Sequence, residues 1–215
     1  MKRIRIALPA LALVLAACSA PAPAQDGVTP GAAGTNTDSP STATRTETPA
    51  GRYKLTTASG ADIAFTLPTP ATDPAVAAIE AYRVKVGGDP VSYLVADVDN
   101  RKGTVPVDMY MVSAFDEDGR QFTFFSVADA IHGWAPTYSY DFKWSMDGRA
   151  LDAAEGEGLK READALYNAD TSDAGEAERT TIILASSDAG LPTGFAKVAV
   201  QPSSLGNEEL AQPAG

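Results

Sequence analysis

Three runs of the chain decide the fold class: Val91-Ser-Tyr-Leu-Val-Ala-Asp-Val98, Val105-Pro-Val-Asp-Met-Tyr-Met-Val-Ser-Ala-Phe115 and Arg120-Gln-Phe-Thr-Phe-Phe125. All three are rich in β-branched and aromatic residues, which fit a pleated, half-buried surface. Asp99-Asn-Arg-Lys-Gly103 and Asp116-Glu-Asp-Gly119 separate them, and Asp, Asn and Gly are the residues that tight turns demand. The spacing predicts three consecutive antiparallel strands.

The same reasoning extends outward. Residues 52–57 and 62–67 alternate polar and apolar around Ala58-Ser-Gly-Ala61, which reads as a hairpin. Asp73-Pro74 has the form of a helix start. Val76, Ile79, Tyr82 and Val86 recur at helical spacing, and Gly87-Gly88 stops the run, giving a helix over about 74–86. Ser126 is placed to cap a short helix through Ile131, and residues 137–145 read as a strand closed by Asp147-Gly148. Residues 152–178 are acidic and weakly helical and read as an insertion. Thr180–Ala185 and Phe195–Val200 supply two late strands, and 203–215 reads as a frayed tail. Several short strands with turns between them suggest a β-sandwich.

The N-terminus has a different character. Lys2-Arg-Ile-Arg5 is a basic lead, residues 6–17 are apolar apart from Pro9, and small residues precede Cys18. This is the pattern of a secretory signal, and the apolar run is too short to span a bilayer. Leu15-Ala-Ala-Cys18 resembles the lipobox of bacterial lipoproteins. The resemblance implies cleavage after Ala17, a diacylglycerol on the Cys18 sulfur, and residence on the extracytoplasmic side of the cell membrane. Residues 19–50 contain Ala, Pro, Thr, Ser and Gly with almost no large apolar side chain, a composition that cannot offset its own ordering entropy. The expected organisation is therefore a signal peptide (1–17), a lipidated tether (18–50), a β domain (51–202) and a tail (203–215).

The segment from Tyr93 to Phe125 also carries a resemblance. Asp97-Val-Asp-Asn100 before a turn, and Asp116-Glu-Asp-Gly119 before Phe122, resemble motifs of Ig-like domains in uncharacterised Gram-positive surface lipoproteins. Thr180-Thr-Ile-Ile-Leu184 and Phe195-Ala-Lys-Val-Ala-Val200 are similar to their closing strands. The resemblance implies a mainly β, Ig-like antiparallel sandwich with one or two short helices beside the acidic helical insertion. It implies no catalytic residues.

Composition narrows function. The chain has 44% hydrophobic and 21% charged residues, within the globular range, which disfavours a fully disordered chain. Its formal charge is −11, and loss of Lys2, Arg3 and Arg5 with the leader takes it to −14. Nucleic acid is disfavoured as a partner, because phosphate binding needs a basic patch. Cys18 is the only cysteine, so no internal disulfide can form. His132 is the only histidine. A Ser-His-Asp triad would have to use it, yet the chain has no Gly-x-Ser-x-Gly, and zinc wants more than one His or Cys. Asp97, Asp99 and Asn100, or Asp116, Glu117 and Asp118, offer oxygens to calcium, but neither set has the twelve-residue loop with its closing Glu. Both read as turn chemistry. No catalytic residue, metal or cofactor is expected.

One run stands apart. Tyr138-Ser-Tyr140-Asp-Phe142-Lys-Trp144 places four aromatics at period two, with Trp134 just upstream. On a strand the four rings share one face. The expectation is a core face of the sandwich. The alternative is a ligand platform of Trp134, Tyr138, Tyr140, Phe142 and Trp144 for a sugar ring, a proline-rich peptide or lipid, with a cell-envelope polymer or envelope protein as the partner. The function expected is a non-enzymatic accessory or binding domain held to the membrane through Cys18. A carboxylate-dependent envelope hydrolase and a purely structural surface domain are the competing classes.

Overall fold

The structure, a computed structural model, describes residues 48–170 and 173–214. The expected signal peptide, Cys18 and nearly all of the expected tether lie outside the described residues. In chain order the elements are β1 (Thr48–Pro49), β2 (Gly51–Thr56), β3 (Asp62–Thr69), α1 (Ala77–Val86), β4 (Ser92–Asp99), β5 (Met111–Phe115), β6 (Gln121–Ser126) and α2 (Val127–Trp134). There follow β7 (Thr137–Tyr138), β8 (Trp144–Met146), β9 (Arg149–Leu151), α3 (Ala153–Ala169), β10 (Arg179–Ser186), β11 (Gly194–Phe195), β12 (Lys197–Gln201), β13 (Glu209–Leu210) and β14 (Gln212–Pro213).

Nine strands form one antiparallel sheet in the order β13-β12-β5-β6-β10-β4-β3-β2-β14. The strands at its two ends, β13 and β14, are neighbours in the chain. Leu210 pairs with Ala199 of β12, and Gln212 pairs with Lys54 of β2. Between them the Ala211 N–H donates to the Val198 carbonyl, and the Ala214 N–H donates to the Arg52 carbonyl. The segment 209–214 thus lies between the two outer long strands, and the sheet is nearly closed into a barrel. β1 and β11 form a further short pair, Thr48 with Phe195. The protein is mainly β, as the alternation predicts. The two facing sheets of an Ig-like sandwich are not confirmed, because the strands run as one continuous sheet. Residues 203–215, expected to fray, contribute β13 and β14.

Side-chain alternation explains the curl. Tyr53, Leu55, Ile63, Phe65, Leu94, Val98, Val112, Phe122, Phe124, Ile182, Leu184 and Val198 all point inward and are buried in one core. Tyr53 and Phe65, cross-strand neighbours, stack with ring centroids 5.6 Å apart. The interior is filled by side chains, as small barrels require.

A second core lies outside the sheet. Tyr93 and Val95 of β4 and Ile183 and Ala185 of β10 face outward, and the three helices cover them. α1 contributes Ile79, Tyr82 and Val86, α2 contributes Val127 and Ile131, and α3 contributes Leu159 and Ala163. The Tyr93 hydroxyl donates to Glu80 Oε2 at 3.0 Å, and Arg83 donates to both Glu80 oxygens. Burial, reinforced by the bond to Glu80, raises the Tyr93 pKa. The Tyr82 hydroxyl, pushed up to about 12 by burial, reaches the Leu159 carbonyl. The acidic segment read as an insertion is therefore the third helix of this layer. Asp152 caps it by accepting from the Glu155 N–H. Ser126 caps α2 as predicted, accepting from the Ala128 N–H.

Candidate functional site

The aromatic run does not form the expected single strand. β7 ends at Tyr138, the chain turns through residues 139–142, and β8 begins at Trp144. Within the turn the Phe142 N–H donates to the Ser139 carbonyl, and the Ser139 N–H donates to the Lys143 carbonyl. The Ser139 hydroxyl donates to Asp141 Oδ1 at 2.5 Å and to the Lys143 carbonyl at 3.0 Å. Short polar side chains that bond their own backbone compete with a strand in this way. Phe142 takes a left-handed conformation, φ 62°, which is uncommon for a bulky side chain.

The turn changes where the rings go. Tyr138 and Trp144, six residues apart, become a cross-strand pair with centroids 4.7 Å apart. Phe142 meets Tyr138 edge-on at 6.2 Å. Phe142 is 80% exposed, Tyr138 53%, and Tyr140 is fully exposed. A core face is thus corrected for these three residues. Trp144 and Trp134 are half-buried against the helical layer. The five residues singled out in the sequence divide into two supports and three open rings. Charge at the tip is balanced by the Asp141–Lys143 pair, and the Asp141 carboxyl is held below its usual range by Ser139 and then Lys143.

The other sequence candidates lie elsewhere. His132 sits exposed in the last turn of α2. Asp97 is paired with Arg179 and Asp99 with Arg101, and in each case the guanidinium holds the carboxyl low. The Asn100 amide turns inward and donates to the carbonyls of Val105, Ala174 and Gly175, each at 3.0 Å. Asp116 Oδ1 accepts from the Arg120 N–H at 2.8 Å. The Asp97, Asp99 and Asp116 carboxylates are thus engaged in ion pairs and turns, whereas Asn100 Oδ1 is buried without a partner among the described residues. Among the described residues, no three His, Cys, Asp or Glu side chains converge as a metal site would require.

The open outer face of β2, β3, β4 and β10 holds a depression of about 540 Å³. Register places Thr56, Asp62, Asp99 and Arg179 in one row and Lys54, Ala64, Asp97 and Thr181 in the next. Lys54, Ala64 and Asp97 all line the hollow. Its carboxylates are already answered: Arg179 takes Asp97, Arg101 takes Asp99, and Thr56 donates to Asp62. That leaves little charge to capture a ligand. Sequence reasoning missed this face, since its members come from four separated strands.

No helix among the described residues is long and apolar enough to cross a membrane. No family model, curated protein or solved structure matches the chain.

Proposed function

We propose that the protein is a lipid-anchored, extracytoplasmic binding protein of the cell envelope, tethered through Cys18 and acting without catalysis. The Tyr138–Phe142 hairpin is its contact surface. The observation that carries the reading is the exposure of Tyr138, Tyr140 and Phe142 together at one turn. Exposed rings cost solvation free energy unless a partner covers them, and stacking on a sugar ring or a proline-rich segment is what flat aromatic faces do well. Anchoring rests on Leu15-Ala-Ala-Cys18 after its basic and apolar leader. Two or more acyl chains give stable attachment, which one alone does not.

Sedimentation of the protein with isolated envelope material tests the binding role. Tyr140→Ala and Phe142→Ala should abolish co-sedimentation while the fold survives, and unchanged binding by both would remove the hairpin from the reading. Detergent partitioning of Cys18→Ala against wild type tests the anchor. Equal partitioning into the aqueous phase would defeat it.

A further inference from the structure

A separate cleft of about 510 Å³, within the size range of small-molecule sites, opens where the chain approaches β5 and where β6 passes into α2. Its lining residues are Asp108, Met109, Tyr110, Phe125, Ser126 and Asp129. Met109 is fully buried and left-handed, φ 48°, an outlier for a long side chain. The N–H groups of Asp108 and Met109 hold it there by donating to the same carbonyl, that of Pro202, at 3.0 and 3.1 Å. Asp108 and Tyr110 on either side of it face the cleft.

Two features point to the occupant. Asp108 Oδ1 is buried and has no hydrogen-bond partner among the described residues. Burial raises the Asp108 pKa. The backbone N–H groups of Tyr110 and Ser204 oppose that shift, and the nearby Asp173 adds to it. A partly desolvated carboxylate whose accessible side opens on the cleft favours a cation entering there. Asp129 in the first turn of α2 adds a second negative charge, and no Lys or Arg lines the cleft. The second feature is aromatic. Tyr110 is 48% and Phe125 44% exposed, so both rings have free surface, and a ring face attracts a cation through its quadrupole.

We propose that this cleft binds a primary ammonium group, carried either by a free amine or by a lysine side chain. Asp108 and Asp129 supply the counter-charge and Tyr110 and Phe125 the aromatic walls. The site goes beyond the envelope-binding role of the hairpin and does not depend on it.

Calorimetric titration of the full chain with putrescine, and separately with Nα-acetyl-lysine amide, tests the site. Saturable binding is expected in at least one arm, and none with the Nε-acetylated lysine derivative, which lacks the charge. Binding of putrescine alone assigns a free amine, and binding in both arms assigns a lysine side chain. Asp108→Asn should weaken binding about tenfold or more. Phe125→Ala, at an exposed position that leaves the core intact, should weaken it as well. No saturable heat in either arm, or equal affinity in both variants, would overturn the proposal. So would saturation by N-acetylglucosamine in place of the amines, which would mark the cleft as a sugar site.

Discussion

Trp144 packs on the bare backbone of Gly156, so closely that a Cβ on Gly156 would fall 2.2 Å from Trp144 Cγ. This contact joins the aromatic hairpin to α3. Gly in a helix interior ordinarily costs about 1 kcal/mol relative to Ala, so Gly156→Ala would stabilise an isolated helix. Here the added methyl meets the rigid base of an indole. Gly156→Ala should destabilise by about 1–3 kcal/mol, as overpacking does. Denaturant melts check this, and a loss of tryptophan fluorescence shift would locate the damage at Trp144.

Phe142→Ala should change stability by well under about 1 kcal/mol, because the ring is exposed and buries little. A core ring would cost about 3–5 kcal/mol in the same melt. Trp144→Ala, half-buried against α3, should cost more than Phe142→Ala.

Asn100→Ala strips the donor shared by the carbonyls of Val105, Ala174 and Gly175. Leaving buried acceptors unpaired costs about 1–3 kcal/mol each, less whatever water recovers. A loss of at least about 2 kcal/mol is expected in urea midpoints. Gly103→Ala should also destabilise, since a Cβ there would lie 1.7 Å from Asn100 Oδ1.

Asp170 ends α3 with both carboxyl oxygens buried and unpartnered among the described residues, and burial raises its pKa from 3.8 to about 6. Between those values the folded protein keeps a proton that the unfolded chain has released. Stability from this group is therefore full below about pH 4 and is lost as pH rises through about 6. Asp170→Asn should remove that slope and raise the melting temperature at pH 7 more than at pH 4. Carboxyls held low, such as Asp97, give the opposite slope. The wild type minus variant difference isolates Asp170.

Much of the barrel was legible from local chemistry. The runs at 91–98 and 120–125 became β4 and β6 within one residue, because alternation and turn residues agree there. The run at 105–115 predicts a longer strand than the one that forms, Met111–Phe115. Met109 is left-handed and pairing resumes only at Met111, a break that apolar composition hides. Period-two aromatics fit a strand and a tight turn equally well, so the spacing of the rings alone does not separate the two. The local bonds of Ser139 decide between them. The cleft at Asp108 joins residues about twenty positions apart through a chain reversal, so no spacing rule marks it. The closing strands are hidden in the terminal stretch 203–215, where backbone groups rather than side chains do the pairing.

That seam has a kinetic meaning. The sheet's last gap is filled by residues 209–214, which must meet strands beginning near residues 51 and 197. Until they arrive, β2 and β12 each present a row of unpaired amides, the template on which β proteins aggregate. Loop closure across some 160 residues also slows the step. The vulnerable interval in the folding of this molecule is thus the wait for residues 209–214, and a holding chaperone that caps one strand edge is the kind of help its topology calls for.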